Sequence, residues 1–203
     1  MTYLLCNGFC FCNDFWKNLI PLLDNKYEYY NENFVENKNE AYIGIGHSLG
    51  FLKLNNSGIK FKALIGLHGF LDFCGTENSK RAILQNTIDR MIASCKKNPR
   101  KFIDFFYSLC GYKYPPNYQT VLENNLISDL EYMKNAYQHC GAQTLIICSI
   151  NDKVLNNEIT MDNFKKRKNV ELHYINNVNH TLGFSEQEKV FKLIRRFIEK
   201  IDE

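Results

Sequence analysis

Ala41-Tyr42-Ile43-Gly44-Ile45-Gly46-His47-Ser48-Leu49-Gly50 is the stretch that decides the reading of this chain. Its first half is an apolar run and its second half is G-x-S-x-G, the pattern of a nucleophile elbow, in which a serine sits on a sharp turn between a strand and a helix. Serine in that turn has a strained backbone. A side chain at either flanking position would collide with the neighbouring strand or helix, so Gly46 and Gly50 are required. The pattern also arises by chance, and its surroundings give it weight: Tyr42, Ile43 and Ile45 lead in as strand, while Leu49, Leu52 and Leu54 lead out at helical spacing.

Upstream of the elbow, Thr2 to Cys6 reads as a short buried strand. The loop Asn7-Gly8-Phe9-Cys10 and an amphipathic helix from about Asp14 to Leu23 follow, then a strand at Tyr27 to Tyr30 and a polar loop from Asn31 to Glu40. Downstream, Lys60 to Leu67 is the fourth strand. Residues 75–126 break the strand-helix alternation with two helical patterns: Leu84, Ile88, Met91, Ile92 and Cys95, then Phe102, Phe105, Phe106 and Leu109 after the cap pair Asn98-Pro99. This segment reads as an inserted helical lid, with 1–74 and 127–203 forming the core. A helix from Ser128 to His139, strands at Gln143 to Ser149 and Val170 to Ile175, a helix from Asn157 to Lys166, and a last helix opening on the capping box Ser185-x-x-Glu188 complete the chain. Strands separated by helices, with connections too long for hairpins, imply an α/β fold whose mostly parallel sheet is covered on both faces.

With 203 residues the chain suits one globular unit, expected to be a monomer. Its net charge of +3 is too small to indicate nucleic acid, and the basic run Lys165 to Lys168 reads as a solvated helix end. No apolar run reaches the length of a membrane span and the N-terminus lacks the pattern of a signal peptide, so a cytoplasmic location is expected. None of the eight cysteines forms a C-x-x-C pair, and no loop has phosphate-cradling spacing; neither metal nor cofactor is expected. Most of these thiols read as reduced core residues. Cys6, Cys10 and Cys12 fall beside the elbow, where oxidation would matter.

Ser48 needs a base within hydrogen-bond reach, and the base needs a carboxylate to orient it. Asp152 follows the strand ending at Ser149, and His180 follows the last strand, in the order and on the loops that this chemistry uses. Each has a plain alternative, a helix cap for the aspartate and a surface loop for the histidine. His47 is too close in sequence to Ser48, His173 lies within a strand, His139 ends a helix, and His68 follows the fourth strand without a carboxylate placed for it. The oxyanion would be held by two backbone N–H groups, that of Leu49 and that of Phe9.

These residues together resemble the α/β-hydrolase superfamily and, within it, the pimeloyl-[acyl-carrier protein] methyl ester esterases of biotin synthesis. In that family a strand ends in His-Gly-Trp-Gly, here Asn7-Gly8-Phe9-Cys10, and a helix with a central tryptophan follows, here Trp16. The elbow and the pair Asp152 and His180 are matched, and Ile83 to Gly111 is similar to the family's lid. Asn7 departs from the family's histidine, and the early start and the loop at 31–40 imply a trimmed sheet of about six strands. The resemblance implies a serine esterase that cleaves the methyl ester of pimeloyl-[acyl-carrier protein], with Phe9, Phe105 and Phe106 lining the acyl channel. Alternatives are a general short-chain carboxylesterase or thioesterase, and an inactive hydrolase-fold binding protein.

Charge bears on the partner separately. Residues 78–113 carry eight cations against two carboxylates, a net of +6 that leaves the rest of the chain at −3. Arg90, Lys96, Lys97 and Arg100 are thus candidates for docking an acidic acyl carrier protein, the alternative being a solvated helical face.

Overall fold

The structure, a computed structural model, describes residues 1–31, 33–135, 140–176 and 178–203. Six strands form one sheet in the order β2-β1-β3-β4-β5-β6, and every neighbouring pair is parallel. They are β1 (Thr2–Cys6), β2 (Lys26–Tyr29), β3 (Tyr42–His47), β4 (Phe61–Leu67), β5 (Gln143–Ser149) and β6 (Val170–Ile175). The four inner strands are buried on both faces, as a parallel sheet requires. Alternate residues sort onto the two sides. Tyr3, Leu5, Ile43, Ile45, Leu145 and Ile147 pack into one apolar layer, whereas Leu4, Tyr42 and Ile146 pack into the other. The edge strand β2 instead exposes Lys26, a charge that discourages pairing with another chain.

The second layer is closed by α1 (Leu49–Asn55) and α6 (Asn157–Phe164) through Phe51, Leu54 and Phe164. The first is closed by α8 (Gln187–Asp202), which buries Val190, Ile194, Phe197 and Ile198, and by Phe15, Trp16 and Leu19. Burial at ~1.5–3 kcal/mol per side chain holds α8 in place. Its exposed ion pairs, such as Arg195 with Glu199 at 3.1 Å, contribute at most about 1 kcal/mol each.

The lid comprises α2 (Asn78–Lys97), α3 (Pro99–Cys110) and α4 (Tyr118–Glu123), and α5 (Leu126–Met133) returns the chain to the core. Its caps follow the sequence: Asn98 accepts from Lys101 N–H at 3.0 Å, and Gly111 ends α3 at φ 71°. The lid's basic residues include its anchors. Arg81 donates to Asp72 Oδ2 at 2.7 Å and to the carbonyls of Gly75 and Lys134, and Lys80 pairs with Glu158 at 3.0 Å.

Four expectations from sequence are corrected. The segment 14–23 forms two 3-10 turns, Asn13–Trp16 and Ile20–Leu22, in place of one α-helix. Pro21 lacks the N–H that a continuous helix would need there. A third helix, α4, follows the two helical patterns expected in 75–126, and Asn117 caps it by accepting from Thr120 N–H at 3.3 Å. Ser185 caps nothing, because it ends the short α7 (Leu182–Ser185) and its hydroxyl donates to the Thr181 carbonyl. α5 begins two residues before Ser128, and the expected continuation to His139 lies outside the described residues. Among the described residues no helix is long and apolar enough to cross a membrane.

Candidate active site

Ser48 occupies the turn between β3 and α1 with φ 51° and ψ −118°, a conformation that costs a side-chain-bearing residue ~1–3 kcal/mol. Neighbours hold it there. Its N–H donates to Leu67 O at 2.8 Å and its carbonyl accepts from Phe51 N–H at 3.1 Å. A Cβ on Gly46 would lie under 3.0 Å from the Phe51 backbone, and one on Gly50 would meet the Cys6 and Asn7 carbonyls as closely. Both glycines thus serve close approach, since neither has a positive φ.

The loop after β1 lies against the elbow. A Cβ on Gly8 would strike the His47 ring. Asn7 is tied down through its carboxamide, which accepts from Trp16 Nε1 at 2.6 Å and donates to Asn13 Oδ1 at 2.7 Å. Asn7 thereby fastens the loop from the side. Leu49, the first residue of α1, has no intrahelical acceptor for its N–H. Phe9 N–H makes no backbone hydrogen bond among the described residues. Cys10 adopts φ 67°, and its carbonyl accepts from the lid's Tyr107 hydroxyl at 3.1 Å.

Asp152 and His180 meet, both 1 % exposed in their side chains, with His180 Nδ1 2.7 Å from Asp152 Oδ2. The other carboxylate oxygen accepts from Val154 N–H at 2.7 Å and Leu155 N–H at 3.1 Å, so Asp152 caps its own loop and orients an imidazole at once. The His180 loop is pinned twice: Ser149 Oγ donates to the Val178 carbonyl, and His47 Nε2 donates to the His180 carbonyl at 2.8 Å. The residue before Ser48 therefore carries the main chain of His180. Among the described residues no hydrogen bond joins Ser48 Oγ to the His180 ring, and such bonds are often long in resting enzymes. Ser48 is 5 % exposed.

His68 was expected to lack a carboxylate. Instead its Nδ1 lies 2.7 Å from Asp152 Oδ2, because β4 and β5 are neighbours and φ 54° at His68 swings its ring toward the Asp152 loop. His68, Asp152 and His180 have the ligand types of a metal site, their donor atoms all within 4.8 Å of one another. However, an ion with bonds of about 2.0 Å at tetrahedral angles spreads its ligands ~3.3 Å apart. At 2.7 Å the donors are at hydrogen-bond separation.

Burial pushes the Asp152 carboxyl up, but the adjoining His180 and His68 imidazoles outweigh it and hold it far below the usual carboxylate range. Burial also pushes His47 and His68 below the ordinary imidazole value, and for His47 the neighbouring histidines add to this. All eight cysteines are buried and free. Burial raises the Cys6 thiol to about 12 and raises Cys10 and Cys12 as well, leaving no reactive thiolate beside the elbow.

Of the lid phenylalanines, Phe106 is 4 % exposed and packs edge-on against Phe9 with centroids 5.1 Å apart. Phe105 is 65 % exposed, on the solvent side of α3. Arg90, Lys96, Lys97 and Arg100 are all exposed, with Arg100 lying over the Tyr118 ring at 5.2 Å. A polar cleft of about 410 Å³ opens beside Asn7 and Gly8, lined also by Lys53, Asn124 and Asn125. Ser48 and His180 do not line it.

No family model matches the chain, and no curated protein does. Solved structures do. An esterase from Exiguobacterium antarcticum superposes with a TM-score of 0.76 at 14 % identity, over 100 % of this chain and 92 % of that one. A thermophilic esterase gives 0.71 at 16 %, over 98 % and 90 %. MenH from S. aureus gives 0.68 at 13 %, over 100 % and 95 %. Identities this low carry architecture and no more, and with the parallel six-stranded sheet they establish that the chain has the α/β-hydrolase fold.

Proposed function

We propose that the protein is a serine ester hydrolase working through an acyl-enzyme. The observation that carries this is the buried Asp152–His180 hydrogen bond at 2.7 Å, fastened through His47 to the strained elbow that presents Ser48. Ser48 Oγ attacks the ester carbonyl while His180 Nε2 takes its proton and passes it to the departing alcohol. Asp152 keeps the Nδ1 proton in place and offsets the imidazolium charge. The Phe9 and Leu49 N–H groups receive the oxyanion, each worth ~10²–10³ in turnover. Water, deprotonated by His180, then releases the acid. The esterases among the structures that share the fold support this class. Hydrolysis of p-nitrophenyl acetate tests it: Ser48→Ala and His180→Ala should each lose ~10⁴-fold or more, and activity surviving in Ser48→Ala would end the proposal.

For the substrate we favour the methyl ester at the far end of a pimeloyl chain on acyl carrier protein, over a general short-chain carboxylesterase. The sequence resemblance supports it, as does the lid surface. Lys80 and Arg81 are occupied in holding the lid to the core, whereas Arg90, Lys96 and Lys97 have no ion-pair partner among the described residues. The exposed Phe105, four residues from Lys101, adds an apolar anchor to that cationic surface, a combination suited to an acidic protein partner. Reversing Arg90, Lys96, Lys97 and Arg100 to Glu should slow the carrier-bound ester ~10-fold or more at low salt and spare dimethyl pimelate. Reversal of Lys165, Lys166 and Lys168 is the control for net charge. Unchanged turnover of the carrier ester by the lid variant would favour the general esterase.

A further inference from the structure

Two imidazoles share one carboxylate oxygen in this core, and the reaction above uses only one of them. His68 is fully buried, sits at the end of β4 at φ 54°, and is held there by its N–H donating to Ile147 O at 2.8 Å. A positive φ on a histidine is uncommon, and maintaining one in a core implies that the ring's position matters. The ring lies 5.0 Å from that of His180, centroid to centroid, with the Asp152 oxygen between their Nδ1 atoms.

We infer that His68 is a positioning residue for the catalytic pair, its Nδ1 set against the same Asp152 oxygen that orients His180. The proposal rests on the serine-hydrolase reading of the site. An unprotonated Nδ1 2.7 Å from a carboxylate oxygen would bring two negative centres together, so the tautomer with its proton on Nδ1 is favoured, and a small turn of the ring would bring that N–H into line with the oxygen. The ring also lies near the main chain of Asn179, the residue before His180. His68 therefore neighbours both loops that must be aligned, one at the acid and one beside the base. The other ionisable groups nearby cannot substitute. His47 is turned to the His180 carbonyl, and burial holds the Cys110 thiol, which faces Asp152, well above its ordinary value and neutral.

Sharing one oxygen ties the orientation of Asp152 to both rings. Removing the His68 side chain should free the carboxylate to rotate and loosen the alignment of His180 with Ser48.

The test begins with wild-type protein, whose p-nitrophenyl acetate activity must depend on Ser48; if it does not, the hydrolase reading fails and His68 is not at issue. With activity established, His68→Ala should lower kcat on the order of ten-fold with KM little changed. His68→Asn tolerates the positive φ and offers an N–H near the Nδ1 position, and it should return kcat most of the way. An unchanged kcat in a folded His68→Ala, or failure of Asn to restore it, would overturn the proposal. Should the alanine variant not fold, ¹⁵N spectra of histidine-labelled wild-type protein still decide. A proton on His68 Nδ1 supports the assignment, and one on Nε2 alone refutes it.

Discussion

The elbow buries every residue from Gly46 to Gly50, the lid helix α3 only five of its twelve, and the two are held in unlike ways. At the elbow, backbone meets backbone: Gly46 lies on Phe51 and Gly50 on the carbonyls of Cys6 and Asn7, with no side chain between. α3 rests on its own side chains, Phe102, Ile103, Phe106, Tyr107 and Cys110, and turns Phe105 outward. Backbone contact leaves almost no room for adjustment, whereas packed side chains can re-sort among rotamers. The chemical half of the site is thus rigid by construction, and the half that would meet an acyl chain is adjustable.

Glycine substitutions should expose that difference most. Gly50→Ala sets a methyl against two main-chain carbonyls, which can yield only if β1 or its loop moves. About 3 kcal/mol of stability should be lost, roughly 10 °C in Tm for a chain of this size, together with most activity. In the lid, Gly111→Ala meets only the Asn179 side chain, and its cost is mainly that of φ 71°, about 1–2 kcal/mol. Equal Tm losses in the two variants would erase the contrast.

Acid should act on the core first. All five histidines lie outside residues 75–126. His47 and His68 are depressed chiefly by burial, so below pH ~6.5 the unfolded chain binds protons that the folded chain refuses, and stability falls as pH falls. The depressed Asp152 acts in the same direction but later, below pH ~4, where an unfolded aspartate would protonate. Thermal melts followed through Trp16, the single tryptophan and fully buried in the core, should show Tm dropping between pH 7 and pH 5. A flat profile over that range would mean that the two rings are accommodated as cations.

What the sequence disclosed follows the same division. Rules that act over a few residues were legible: apolar strands, the steric need for Gly46 and Gly50, the Asn98 cap and the Gly111 stop. Asp152 and His180 could be placed because parallel strands deliver their following loops to one edge of the sheet. That logic also reaches His68, since the residue after β4 must neighbour the loop after β5; the contact was missed because a positive φ at a histidine leaves no mark in the sequence. One other miss did have a signal: Pro21 forbade an unbroken helix. Ser185 had no such warning, because whether a serine starts one helix or ends another depends on the turn packed before it.

The smallest expected effect lies where the two regions touch. Tyr107 donates its hydroxyl to Cys10 O at 3.1 Å, the lid's hydrogen bond to the loop that carries Phe9 N–H, and stacks on Phe11 with centroids 5.1 Å apart. Tyr107→Phe keeps the ring and the stack and removes one oxygen, so stability should fall by only about 1 kcal/mol. Turnover should fall more than that loss suggests. Cys10 holds φ 67° one residue from the proposed oxyanion donor, and without the hydrogen bond to its carbonyl the turn from Gly8 to Cys10, which carries the Phe9 N–H, is freer to shift. A few-fold drop in kcat on a small ester is expected, well short of the ~10² for outright loss of a donor. Phe106→Leu, which trims the packing on Phe9 but leaves the Cys10 bond intact, should do the reverse, lowering Tm more and kcat less. If the two variants changed kcat and Tm in the same proportion, the lid would be acting on the site through general stability alone, and the hydrogen bond to Cys10 would have no separate part in the chemistry.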